Sequence, residues 1–300
     1  MIALIIVAGG KKITEEDQYP CVTYLFKHSK SSFKTYLMNK KIAIIGAGNL
    51  GTAIAEGLLK SKFSKASEIT VTRRNVSINP LKTLGIDIID NNNAAVKNSD
   101  VIILAVKPFQ TLELLKTIQK EITANKIFIS VVTGITMDEI EMALGKKISL
   151  FRAMPNTAIS IQESMTCLCH RHAKESDINY VHELFSKLGK VISIDEKLME
   201  AATILGACGT AYAMRYIRAN IQGGIEIGFD AATASLIAAQ TVKGAAELLL
   251  VKKSHPEQEI DKVTTPKGCT IAGLNEMEHR GFSSSLIRGV VASYQKIAKD

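Results

Sequence analysis

Two stretches of the chain combine residue types and spacing that suggest chemistry. The first is GAGNLG, residues 46–51, a G-x-G-x-x-G run between an apolar strand pattern and a helical one. In that context each glycine has a mechanical task. Gly46 makes the tight turn, Gly48 lets backbone approach a pyrophosphate, and Gly51 lets helix and strand pack closely. The N–H groups of the helix start, at Asn49 and Leu50, then face the anion. The expected ligand is a dinucleotide. The second strand ends in TVTRRN, residues 70–75. The Asp or Glu that would hold free ribose hydroxyls is missing, and Arg73, Arg74 and Asn75 suit a 2′-phosphate. NADPH is therefore expected over NADH, which would bind more weakly.

The second stretch is VTTPKGCTIAGL, residues 263–274. Hydroxyl residues, a proline and a glycine directly before an apolar run read either as a helix cap or as a turn that holds something. Two further turns lie between these stretches. AVKP (105–108) ends one strand and would bring backbone of Val106, Lys107 and Pro108 to the nicotinamide half of a cofactor. MPNT (154–157) ends another and offers the Asn156 amide at the same edge. Each also reads as ordinary turn chemistry.

These residues need a scaffold, and the hydrophobic pattern supplies one. Apolar strands are expected at 41–46, 68–73, 85–90, 100–106, 126–132 and 148–154, extended by 164–169 and 190–194, with helical segments between several of them. Such alternation implies a parallel sheet covered on both faces. After Asp195 the strands stop. Residues 198–227 and 231–252 read as helices rich in small and apolar residues, followed by a break at HPEQ (255–258) and two more helices. Arg215 and Arg218 interrupt the first long helix, and Gln240, Lys243 and Glu247 the second, so neither is expected to span a membrane. Apolar character on several faces suggests burial beyond one chain's core, as in an intertwined homo-oligomer, or else a thick monomeric bundle.

The expected organisation is an extension over 1–37, a dinucleotide-binding domain over 38–195 and a helical domain over 196–300. With 46% hydrophobic and 22% charged residues the chain is globular. Its net charge of +8 is scattered, without a basic stripe, so nucleic acid is not an expected partner. The opening MIALIIVAGG lacks a basic n-region and is not read as an export signal. Five cysteines without framework spacing favour free thiols and a cytoplasmic location. Cys167, Cys169, His170 and His172 alternate along a strand, Cys to one face and His to the other, so no metal site is expected there.

In order and spacing, GAGNLG, AVKP, RAMPNT, GACGTAY (206–212), AAQTVKGAAELLL (238–250) and VTTPKGCTIAGLNEME (263–278) resemble pyrroline-5-carboxylate reductase from about Lys41 to the C-terminus. The resemblance implies a Rossmann domain followed by a helical dimerisation domain, as a homodimer that in some members assembles into rings. It also implies NAD(P)H-dependent reduction of 1-pyrroline-5-carboxylate to L-proline. The backbone N–H groups of Gly268, Cys269 and Thr270 would bind the substrate carboxylate, and the Thr270 hydroxyl would lie near the ring nitrogen. Three positions depart from the family pattern: Lys267 replaces a usual Gly, Ala158 a common Pro, and GACGTAY a motif usually written with Ser and Pro. Lys267 would add attraction for the carboxylate or point to solvent. A 3-hydroxyacid dehydrogenase, the nearest rival, would need a lysine on the first long helix. None occurs between Gly206 and Asn220.

Overall fold

The computed structural model describes residues 40–74 and 80–297. The expectations for residues 1–37 and for Asn75 fall outside the described residues.

A single eight-stranded sheet runs β3-β2-β1-β4-β5-β6-β7-β8. Its strands are β1 (Ile42–Ile45), β2 (Ile69–Thr72), β3 (Asp87–Ile89), β4 (Val101–Leu104), β5 (Ile127–Ser130), β6 (Ser149–Met154), β7 (Ser164–Arg171) and β8 (Gly189–Ser193). Those from β3 to β6 are parallel. Every residue of β1, β4 and β5 is buried, which is why these strands read as continuous apolar runs. Strand order reverses between β2 and β4 on either side of β1, and Ile45 is in register with both Thr72 and Leu104. The carboxyl ends of three strands thus meet at one crevice, where open α/β sheets bind ligands.

One expectation needs correction. The last two strands do extend the sheet, but β7 runs antiparallel to β6, and β8 is parallel to β7. A parallel crossover needs about a dozen residues or more. The link from Met154 to Ser164 is shorter and holds only a 3-10 turn, Thr157–Ile161.

Helices cover both faces: α1 (Asn49–Lys60), α2 (Asn92–Lys97), α3 (Pro108–Ile118), α4 (Met137–Leu144) and α5 (Glu175–Ser186). In α1, Gly51, Ile54, Ala55 and Leu58 recur at helical spacing and are buried. Leu115, Ile118, Ile140 and Leu144 of α3 and α4 join the core formed by Ile45, Ile102, Leu104 and Phe128. Each such fully buried side chain contributes about 1.5–3 kcal/mol relative to exposure. The ends of α4 follow local chemistry: Thr136 and Glu139 close a capping box, and Gly145 at φ +62° ends the helix.

Beyond β8 the chain is helical, with α6 (Gly209–Glu226), α7 (Ala231–Lys252), α8 (Pro256–Lys262), α9 (Cys269–His279) and α10 (Phe282–Ile297). Two boundaries differ from the sequence reading. HPEQ opens a helix: His255 caps α8 and Pro256 takes its first position, where its missing N–H costs nothing. The expected continuous helix over 198–227 contains a π-helical stretch, Thr203–Cys208, ahead of α6. Two glycines, Gly206 and Gly209, lie in or beside it, where helix-forming tendency is weak.

No residue of α6, α9 or α10 is buried within one chain, and α7 buries only Ala234 and Ala238. Leu236, Leu250 and Val251 on α7 are 71%, 66% and 69% exposed. α7 is long and apolar enough to cross a membrane by length and composition alone, with a mean hydropathy of 1.4 over its best window. Only 11% of that window is buried inside the chain. Its interior charges, Lys243 and Glu247, are too few to offset the apolar residues around them.

Candidate active site

The glycine cradle forms at the carboxyl end of β1. Gly46 has φ +110°, and a Cβ there would lie 2.6 Å from the Ala105 carbonyl oxygen. At Gly51 a Cβ would lie 1.9 Å from the Gly46 carbonyl oxygen, so the close crossing of loop and helix excludes any side chain. Around Gly48 a Cβ would meet nothing within 4 Å. This is where a ligand can approach backbone. The Gly46 N–H donates to Thr72 Oγ1 at 3.2 Å and the Ala47 N–H to the Thr72 carbonyl at 3.0 Å, which ties the loop to the end of β2. No side chain caps α1, so its first N–H groups, including those of Asn49 and Leu50, are left for an anion.

A cavity of about 630 Å³ opens from this loop. Gly46, Gly48, Arg73, Arg74 and Val106 line it, as the sequence reading requires. Arg73 and Arg74 are exposed at its edge. The cradle, the open space and the two guanidinium groups fit a phosphorylated dinucleotide. Asn49, Leu50 and Gly51 stand behind the loop rather than on the cavity wall, and Lys107 and Pro108 shape the start of α3 without lining it.

Several lining residues were not anticipated. Asp90 follows β3 and Asn92 opens α2, and Phe109, Gln110, Glu113, Leu114 and Thr117 come from one face of α3. Helical periodicity after AVKP contains that face. What was missing is knowledge that this side of α3 meets the crevice.

Asn156 does not line the cavity, because its amide is engaged within the protein. Its Nδ2 donates to the Gly206 carbonyl at 3.1 Å and its Oδ1 accepts from the Ala158 N–H at 3.0 Å. These bonds tie the sheet edge to the π-helical stretch, a geometry frequent at functional sites. A second tie lies beside it. The guanidinium of Arg152, 2% exposed, faces Glu196 at 3.2 Å and Glu200 at 3.3 Å. Glu196 also meets Arg171 at 3.1 Å and accepts the Met137 N–H at 2.6 Å. Three segments, carrying Met137, Arg152 and Arg171, converge on the Glu196 carboxylate at the point where the sheet hands over to the helices.

The turn before α9 is built for its backbone. The Gly268 N–H donates to the Thr265 carbonyl at 2.9 Å, closing a turn with Pro266 and Lys267 at its centre. Lys267 has φ +60°, at the turn position where a positive φ favours glycine. A Cβ on Gly268 would lie 2.4 Å from Thr265 Oγ1. Since the Gly268 N–H closes the turn, it is not free for a ligand, which corrects one part of the sequence reading. The Cys269 and Thr270 N–H groups remain: no side chain caps α9, and its first turn carries no acid. Lys267 and Cys269 are exposed and Thr270 is half-buried. No residue of 263–274 lines the cofactor cavity.

Cys167 and Cys169 point into the core and His170 out of it, as strand alternation requires, while His172 lies beyond the end of β7. Burial pushes the Cys169 thiol up to about 11 and the Cys167 thiol above its ordinary value. Both are inert at neutral pH. Among the described residues no three His, Cys, Asp or Glu are placed to hold a metal.

Comparison with known proteins converges on one family. Residues 196–300 match the family described as pyrroline-5-carboxylate reductase dimerisation, and residues 41–134 match NADP oxidoreductase, coenzyme F420-dependent. The chain is 48% identical over 275 residues to pyrroline-5-carboxylate reductase 1 of Dictyostelium discoideum, covering 87% of this chain and half of that longer protein. It is 44% identical over 278 residues to pyrroline-5-carboxylate reductase 2 of the same organism, covering 87% of this chain and 93% of that one. Among solved structures, Plasmodium falciparum pyrroline carboxylate reductase with NADP bound matches with a TM-score of 0.81 at 25% identity, over 86% of this chain and 97% of that one. The Coxiella burnetii enzyme gives 0.78 at 28% identity, over 87% and 98%.

Proposed function

The chain belongs to the pyrroline-5-carboxylate reductase family, and from that membership we propose that it reduces 1-pyrroline-5-carboxylate to L-proline with NADPH, the last step of proline synthesis. One observation carries the reading: a single chain pairs a glycine cradle edged by two guanidinium groups with an uncapped helix start behind a tight turn.

When bound, NADPH supplies the hydride for the C=N carbon. The chain's residues bind and orient. Arg73 and Arg74, with Asn75, hold the 2′-phosphate, so NADH binds more weakly. Gly46 and Gly48 with the start of α1 receive the pyrophosphate, and Val106 presents backbone toward the nicotinamide half. The Cys269 and Thr270 N–H groups take the substrate carboxylate, with the Lys267 charge beside them. The Thr270 hydroxyl orients the ring nitrogen. No strong general acid is required, because hydride addition to a protonated C=N cancels its positive charge. Positioning then supplies most of the acceleration.

The domain boundary falls between 195 and 196. The open apolar faces of α6 and α7 meet a second copy rather than lipid, giving a homodimer that is able to assemble into a ring. A reducing, cytoplasmic location fits its unpaired thiols. The test is NADPH consumption by the purified protein with 1-pyrroline-5-carboxylate, with proline assayed as product and NADH in parallel. Substrate-dependent oxidation that is faster with NADPH supports the reading; a folded protein that turns over neither cofactor sinks it.

A further inference from the structure

Phe109 is the second residue of α3 and is 84% exposed. Exposure alone says little: Met142 on α4 is 82% exposed and lines no part of the cofactor cavity. Phe109 differs because its exposed ring stands on the wall of that cavity.

Three features define what the ring faces. Phe109, Gln110, Glu113 and Leu114 fall on one helical face, and all of them line the cavity. The same cavity is lined by Arg73 and Arg74, which follow β2, and by Asp90, which follows β3. In a sheet ordered β3-β2-β1-β4, the β2 and β3 side of the crevice takes the adenosine half of a dinucleotide, because the glycine cradle fixes the pyrophosphate over β1. The part of the cavity bounded by α3 and the two arginines is thus the adenine slot. α3 starts on the β4 side of β1, but its cavity face reaches the other side: Phe109, Gln110, Glu113 and Leu114 line the same cavity as Asp90 and Asn92, which follow β3.

We propose that Phe109 is a stacking residue for the adenine of NADPH. Its ring closes over one face of the base while Arg73 and Arg74 hold the neighbouring 2′-phosphate. The inference rests on the NADPH reading and adds a contact that no motif in the chain announces. An aromatic side chain suits the task, because a flat apolar ring with only two rotatable bonds gains contact area at little cost in freedom. An adenine covering it would also remove from water a large apolar surface that the cofactor-free chain leaves open.

The test is calorimetric titration of the full chain with NADPH and, separately, with 2′,5′-ADP, which carries the adenine and the 2′-phosphate but no nicotinamide. Phe109→Ala should weaken both ligands by the same factor, about tenfold. Phe109→Tyr should bind both as the parent does, and Phe109→Leu should fall between. Because the side chain is exposed, the melting temperature of each variant should match the parent's, which separates lost stacking from lost fold. Parent-like binding of 2′,5′-ADP by Phe109→Ala would overturn the proposal. So would a loss confined to NADPH, which would place the ring over the nicotinamide. If the parent protein itself bound neither ligand, the cofactor reading would fall and this proposal with it.

Discussion

At the scale of single residues, the two ends of the site make different demands. Arg73 and Arg74 are exposed guanidinium groups on the rim of a cavity, so their value lies in the charge they offer a ligand. Replacing both by Ser should weaken NADPH by about tenfold or more and leave NADH nearly unaffected, because charge-assisted hydrogen bonds to the 2′-phosphate are lost. Equal losses for the two cofactors would move the phosphate site elsewhere. Lys267 carries the opposite tension. Its φ of +60° costs a non-glycine residue about 1 kcal/mol or more, and it stands just before α9, whose start no side chain caps, so that its charge is proposed to favour an anion there. Lys267→Gly should raise the melting temperature slightly while raising KM for the substrate several-fold. A lower melting temperature, or an unchanged KM, would show that the lysine points away to solvent.

At the scale of elements, the strands and the glycine cradle were legible because they are local: buried apolar runs, helical spacing after Gly48, and turn residues at strand ends. What escaped notice depends on pairing between distant segments. The antiparallel course of β7 follows from a link too short for a crossover, and the link's length becomes telling only once both strands are placed. Asn156 was read correctly as a polar group at the right edge, but its partner is the Gly206 carbonyl, far along the chain. The carboxylate cluster on Arg152 is of the same kind. Nothing near Arg152 in sequence hints that Glu196 and Glu200 return to it. That cluster anchors the first helical residues to the sheet. Arg152→Ala should therefore destabilise the protein by about 2 kcal/mol, since it removes a buried guanidinium and leaves Glu200 without its partner while Glu196 keeps Arg171. Thermal unfolding checks it, and an unchanged midpoint would mean that the cluster bears no such load.

At the scale of the whole molecule, the apolar surface of the helical region sets the problem that a partner must solve. Leu236 and Leu250 of α7 are largely exposed in one chain, and the matching family is defined by dimerisation through these helices. Charge on that surface, as in Leu236→Lys, should shift the protein from dimer to monomer in analytical ultracentrifugation. A variant that stays dimeric would place the interface elsewhere. None of the residues of the turn before α9 lines the cofactor cavity, so hydride transfer is where the two halves of the proposed site must come together. The most direct measurement is therefore of the transferred atom itself. NADPH carrying deuterium at the transferable position of its nicotinamide C4 is incubated with the protein and 1-pyrroline-5-carboxylate, and the product is analysed by mass spectrometry and NMR. The account predicts proline with one deuterium on the ring carbon bonded to nitrogen, on the side away from the carboxylate. Proline formed without that label, or cofactor oxidation without proline, would contradict it.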